Sequence, residues 1–283
     1  MKIFEWFMEP GRRFDRIAIA ASIVLSFFAI FVQPQFRIST LWDKPEIETT
    51  LASEIWLDHR YGKLNLGGFI QIKNIGKAKE SISKVYIYLQ KSDNNKSRRF
   101  EKLLKLQGAY DLYALNAKPG SAFVLPILGI LLYPDEHYYN MVVSYETLEG
   151  DERKAIDEME NAIYEDIKTQ VNSGIEYPII NDNLKQKVES FINENIKDFT
   201  VGDYSLLVIP FDKNNNPIMP NRYYVFTVFE RDILKLQEIT DDYYFGANDI
   251  YYSARHISVV KTINIKEHKE IIKDLMLESK KYW

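Results

Sequence analysis

Two kinds of hydrophobic pattern divide this chain. Ile17 to Val32 reads IAIAASIVLSFFAIFV, sixteen residues without a charge. As a helix it spans roughly 24 Å, a little short of a bilayer's hydrocarbon core. Phe14 lengthens the apolar stretch, and Arg12, Arg13 and Arg16 can snorkel toward headgroups. Gln33 and Pro34 end the run, and Trp6, Phe7 and Trp42 fit interfacial positions. The pattern predicts a transmembrane helix over residues 15–34. The following QPQFRIST has no pair of small residues for signal cleavage, so the helix is expected to stay as an anchor. Lys2, Arg12, Arg13 and Arg16 precede it, against Arg37 and Lys44 just after it. This bias predicts a cytoplasmic tail over 1–14 and an extracytoplasmic remainder, cell-membrane bound and single-pass.

Beyond a tether at 35–45 the pattern changes to short alternating runs. Leu64 to Asn74, Ile82 to Leu89 and Tyr138 to Tyr145 alternate apolar and polar side chains, as half-buried strands do. Asp93-Asn94-Asn95, Lys118-Pro119-Gly120 and Glu149-Gly150 are turns by composition. The apolar run Ala122 to Tyr133 is broken by Pro126 and Gly129 and reads as buried strand and turn. Residues 46–150 are therefore expected to form a β-sandwich.

The period then becomes helical. Ile156, Met159, Ile163, Ile167 and Val171 recur at steps of three and four, and Asn172-Ser173-Gly174 is a stop signal. Asn181 or Asp182 can cap a second helix carrying Leu184, Val188, Phe191, Ile192 and Ile196. A helical hairpin over 151–200 follows. The first helix has an acidic face of Glu152, Asp157, Glu158, Glu160, Glu165 and Asp166, read as a solvated face or an electrostatic docking face. Strands return at Tyr204 to Phe211, Arg222 to Phe229 and His256 to Ile263, and Asn264 is a candidate cap for a terminal helix. Residues 201–283 either complete the sandwich or form a second α+β unit. The expected class is a single transmembrane helix plus a mainly-β (α+β) domain.

The stretch GGFIQIKNIGKAKESISKVYIYL, with Asn74-Ile75-Gly76 at its turn, resembles the strand–turn–strand signature of extracytoplasmic immunoglobulin-like sandwiches. It is similar in particular to the cell-adhesion-related bacterial domain. The Pro-Gly turn at 119–120 and the Tyr-containing strand at 138–145 fit the same outline. The resemblance covers residues 46–148. It implies an Ig-like sandwich and a surface or envelope context, and it carries no catalytic residues.

Composition narrows the chemistry. A net charge of −4 argues against nucleic acid as a partner. The absence of cysteine removes disulfides, Cys-ligated zinc, iron–sulfur clusters, thiol catalysis and lipid attachment at Cys. The nucleophile elbow, the phosphate loop and the dinucleotide fingerprint are missing. His59, His137, His256 and His268 are not spaced for a local metal pair. Asp58-His59 would point to opposite faces of a strand. Asp212 to Asn216 begins like a calcium loop, but Pro217 occupies the required Gly position and Tyr223 the closing Glu. No catalytic residue, metal or cofactor is expected.

Tyrosine is abundant, with doublets at Tyr138-Tyr139, Tyr223-Tyr224, Tyr243-Tyr244 and Tyr251-Tyr252. In a strand one member of each faces the core and the other faces out. Tyr243, Tyr244, Phe245, Tyr251 and Tyr252, around a turn at Gly246 to Asp249, form the candidate partner surface. The leading expectation is a non-enzymatic, membrane-anchored binding or assembly module on the extracytoplasmic side, with a protein partner or a second copy of itself. A membrane-tethered cytoplasmic sensor or effector and an envelope enzyme without a recognised motif are the alternatives.

Overall fold

The computed structural model describes residues 43–92, 100–110, 124–126, 129–146, 148, 150–246 and 259–282. The helix expected at 15–34, with Arg12, Arg13, Arg16, Ile17, Val32 and Pro34, lies outside these residues. Among the described residues no helix is long and apolar enough to cross a membrane.

Among the described residues eleven strands form one antiparallel sheet. They are β1 (Ile47–Arg60), β2 (Lys63–Asn74), β3 (Glu80–Lys91), β4 (Glu101–Tyr110), β5 (Val124–Pro126), β6 (Ile130–Leu132), β7 (His137–Glu146), β8 (Gly202–Asp212), β9 (Tyr223–Val228), β10 (Val259–Thr262) and β11 (Asn264–Lys266). The order is β10-β1-β2-β7-β4-β3-β8-β9-β11, with β5 on β4 and β6 on β3. Its two outer strands, β10 and β11, are separated in sequence by Ile263 alone. The chain leaves β1 after the Glu54–Thr262 pair, Ile263 N–H donates to Ser53 O, and Asn264 joins β9 opposite Val225. One segment thus bridges both edges, and the sheet is nearly closed into a barrel. Where two facing sheets were expected, strands from both halves of the chain share this one sheet.

The closure is finished by side chains. Among the described residues no strand lies between the start of β1, before Ser53, and β9. Tyr224 reaches across the core instead: its hydroxyl accepts from Leu51 N–H at 2.9 Å and donates to Thr49 O at 3.2 Å. Arg222 bonds the Glu48 carboxylate and Thr50 Oγ1. Burial raises the Tyr224 hydroxyl to about 12, so it stays protonated and can donate.

Alternation places Leu57, Leu66, Ile70, Ile87, Leu104, Leu206, Val208 and Phe226 inside the barrel, all essentially buried. The interior is filled by side chains. The helices α1 (Gly150–Asn172) and α2 (Asp182–Ile196) form the expected hairpin. Their buried stripes, Ile156, Ile163 and Ile167 with Leu184, Val188 and Ile192, join the barrel core. Asn181 caps α2 by accepting from Leu184 N–H at 3.0 Å.

This hairpin covers one barrel end, where β1 turns into β2. The turn is Tyr61-Gly62, both at positive φ (50° and 80°), as a two-residue hairpin of this hand requires. A Cβ on Gly62 would lie 2.5 Å from Ile192 O, so α2 packs directly on the turn. A further helix, α3 (Glu230–Glu238), and a 3-10 turn (Ile239–Phe245) complete the cap. The terminal helix α4 (Lys269–Ser279) lies on the outside, with Ile272, Leu275 and Met276 packed on Tyr88, Leu207, Ile209, Phe211 and Tyr223. The doublet Tyr223-Tyr224 splits as expected, one ring under α4 and one inside.

Two expectations need correction. Asn264 does not cap the terminal helix; it opens β11, and α4 begins at Lys269 after His268. Tyr243 and Tyr244 lie in the 3-10 turn and not in a strand.

A polar cleft on the barrel wall

An open cleft of about 560 Å³ lies between α1 and the outer wall of β2, β7 and β4. Strand alternation aims Lys63 and Asn65 of β2 outward. Register then sets Asn65 beside Tyr145 of β7 and Tyr145 beside Lys105 of β4, one row across three strands. The register shift between Leu106 and Gly108 leaves Gln107 on a bulge that turns it into the same space. Because α1 starts just after β7, Arg153, Ile156 and Asp157 form the opposite wall.

Most charges here hold the wall together. Lys63 Nζ lies 2.6 Å from Glu152 and 3.9 Å from Glu146, and Glu146 is also 2.5 Å from Lys102. Arg60 grips Glu160 through Nε at 3.0 Å and its terminal nitrogen at 2.5 Å. The acidic face of α1 is therefore partly docked within the molecule. Glu152 and Glu160 tie the helix to the barrel, and Asp166 accepts from Asn181 and Gln170. Glu158 and Glu165 remain on the outer side, paired with Lys154 and Lys168.

Three polar groups are left over. Asn65 lines the cleft, and its amide, with no hydrogen bond among the described residues, faces the open space. Lys105 and Arg153 line the same space with no carboxylate partner among the described residues. Asp157 and Gln107 stand beside them. An amide that shares a cleft with two cations can hydrogen-bond an oxyanion that they hold. Among the described residues that line the cleft there is no Ser, Thr or His.

His59 is a structural group. It points into the core, opposite to Asp58. Its Nδ1 accepts from Gly62 N–H at 3.1 Å and its Nε2 lies 2.8 Å from Leu236 O, which fixes the neutral tautomer with the proton on Nε2. Burial lowers its pKa to about 4. The folded state therefore binds fewer protons than the unfolded chain between pH about 6.5 and 4. Stability should be constant above pH 7 and fall by up to about 3 kcal/mol through that window. Denaturant melts at pH 7, 5.5 and 4.5 check this, and His59→Gln should flatten the slope.

His137 is exposed, His268 precedes α4, and His256 lies outside the described residues. No group of three or more acidic or His side chains positioned for a metal occurs among the described residues. Asp212 Oδ1 accepts from Asn214 and Asn216 N–H, making a hairpin loop. In the Tyr-rich segment, Tyr243 is buried, Tyr244 bonds Glu189, Phe245 is exposed, and Tyr251 and Tyr252 lie outside the described residues.

Sequence reasoning did not single out Lys63, Asn65, Lys105 or Arg153. The alternation from Leu64 to Asn74 puts Asn65 on the polar side, but strand register, which aligns it with Tyr145 and Lys105, is not written in any local pattern.

No protein family's sequence profile matches the chain, and no curated protein matches it. Among solved structures, the sporulation control protein Spo0M from Bacillus subtilis aligns over 83% of this chain and 96% of its own, at 9% identity. The TM-score is 0.23, too low to bear on fold or function.

Proposed function

We propose that this protein is a membrane-anchored, non-enzymatic binding or assembly module displayed on the extracytoplasmic side, with the wall cleft as its recognition site. The observation that carries the reading is the shared lining of the open cleft by the Asn65 amide and the cations Lys105 and Arg153. An amide and two cations in one cleft can take an oxyanion through charge-assisted hydrogen bonds. The anchor and its orientation come from the uncharged run at 17–32 and the arginines before it.

The test is thermal stability of the detergent-solubilised full chain against a panel of small carboxylates and inorganic phosphate. At a hundred times its Kd, a ligand should stabilise by about 2.7 kcal/mol. Lys105→Glu with Arg153→Glu should abolish the shift. A panel without any shift would remove the cleft from the proposal. Protease digestion of the domain on intact cells decides the side; protection there would favour a cytoplasmic sensor instead.

A further inference from the structure

We infer that the barrel end opposite the helical cap rests on the lipid surface, through the apolar tips of three loops. The inference builds on the anchor proposed above.

The chain arrives at this end. Lys44 O accepts from Lys77 N–H at 3.2 Å and Glu46 O from Ile75 N–H at 2.8 Å, so the arriving segment lies against the β2–β3 loop. A Cβ on Gly76 would meet Glu46 N at 2.3 Å, so the contact is tight. Between Pro34, where the proposed helix ends, and Asp43 lie residues 35–42. Fully extended, they reach at most about 28 Å. The barrel must therefore sit close to the bilayer, and the end that receives the chain is the near one.

That end carries large apolar side chains in solvent. Ile75 belongs to the β2–β3 loop, Leu131 and Tyr133 to β6 and the turn before β7, and Met219 to the β8–β9 loop. Leu131 is 53% exposed and Met219 55%. They are held on a fixed frame. The buried Asn74 amide donates to Ala78 O at 2.8 Å and Leu132 O at 3.1 Å, and its oxygen accepts from Gly76 N–H at 3.1 Å. Asn74 N–H donates to Glu136 O and Asp135 N–H to Asn74 O, tying the first two loops together. Asn221 of the third loop reaches Glu48 at the start of β1. Apolar tips on so rigid a base are placed to insert together into a lipid surface. Lys77 and Lys213 are interspersed with Asp135 and Glu136, so contact rests on apolar insertion and not on net charge.

The absence of cysteine allows clean single-site labelling. Leu131→Cys, Met219→Cys and Tyr177→Cys carry an environment-sensitive fluorophore in the full chain, reconstituted into phosphatidylcholine vesicles containing a bilayer quencher. Tyr177, 78% exposed between α1 and α2 at the capped end, is the control. We expect several-fold quenching and a blue shift at 131 and 219, little at 177, and no loss in high salt. Leu131→Asp should reduce quenching at 219. Carbonate-resistant protein with 131 and 219 unquenched, or with 177 quenched instead, overturns the inference and leaves the anchor standing. Release by carbonate overturns both.

Discussion

Lys261→Met should destabilise the domain by about 3–5 kcal/mol, because it strands a carboxylate inside the protein. Lys261 stands opposite Ile55 on β10, the strand that begins barrel closure. Its Nζ lies 2.6 Å from Asp232 Oδ2, both side chains are 7% exposed, and the ammonium sits 4.6 Å from the Phe229 ring centroid. Asp232 also accepts from Phe229 N–H at 2.8 Å, which caps α3. Burial alone would raise the Asp232 pKa, but the ion pair and this N–H outweigh it and hold the carboxyl below its usual value. The pair's contribution is therefore present above the ordinary carboxylate pKa and lost as pH falls below it. Removing Lys261 leaves the Phe229 N–H and the exposed Arg231, 3.9 Å away, to offset the desolvation cost.

The double variant Lys261→Met with Asp232→Leu is the control. It removes both charges and should recover most of the loss, apart from about 1 kcal/mol for the uncapped Phe229 N–H. Denaturant melts of the three variants give the coupling directly. Such burial should also make the effect nearly independent of salt. A loss below about 1 kcal/mol for the single variant would mean that the pair is solvated and surface-like.

Much of the fold was legible because it rests on local periods. β2, β3, β7 and β8 read as alternation, and α1 and α2 as stripes at steps of three and four. The errors fall where distant pairing decides. Asn264 is a good helix cap in isolation, but β9 needs a partner opposite Tyr223 to Val225, and residues 264–266 supply it. Helix α3 has only Ile233 and Leu236 packed against the core, too few to display a period. The barrel depends on one segment serving both sheet edges, and no window of sequence contains that fact. The cleft was hidden for the same reason. Lys63 and Asn65, Lys105, and Arg153 lie on separate elements, each an ordinary polar position until register aligns them.

The Tyr-rich segment separates structural from recognition aromatics most sharply. Tyr243→Ala should cost about 3–5 kcal/mol, as truncation of a buried large ring does. Its ring packs on Tyr61 with centroids 4.4 Å apart, and its hydroxyl accepts from Tyr61 N–H at 2.9 Å and donates to His59 O at 3.3 Å. Tyr243 thus ties the 3-10 turn to the positive-φ hairpin on which α2 sits. Tyr243→Phe keeps the ring and should cost about 1–3 kcal/mol, since it leaves the buried Tyr61 N–H without its acceptor. Phe245, 47% exposed two residues later, should change stability by no more than about 0.5 kcal/mol when replaced by Ala. If this segment recognises a partner, Phe245→Ala should weaken partner co-purification at unchanged Tm, whereas Tyr243→Ala should lower both together. Equal, small effects of the two on Tm would mean that Tyr243 is not a core residue in solution, and the helical cap would then need another tie to the β1–β2 turn.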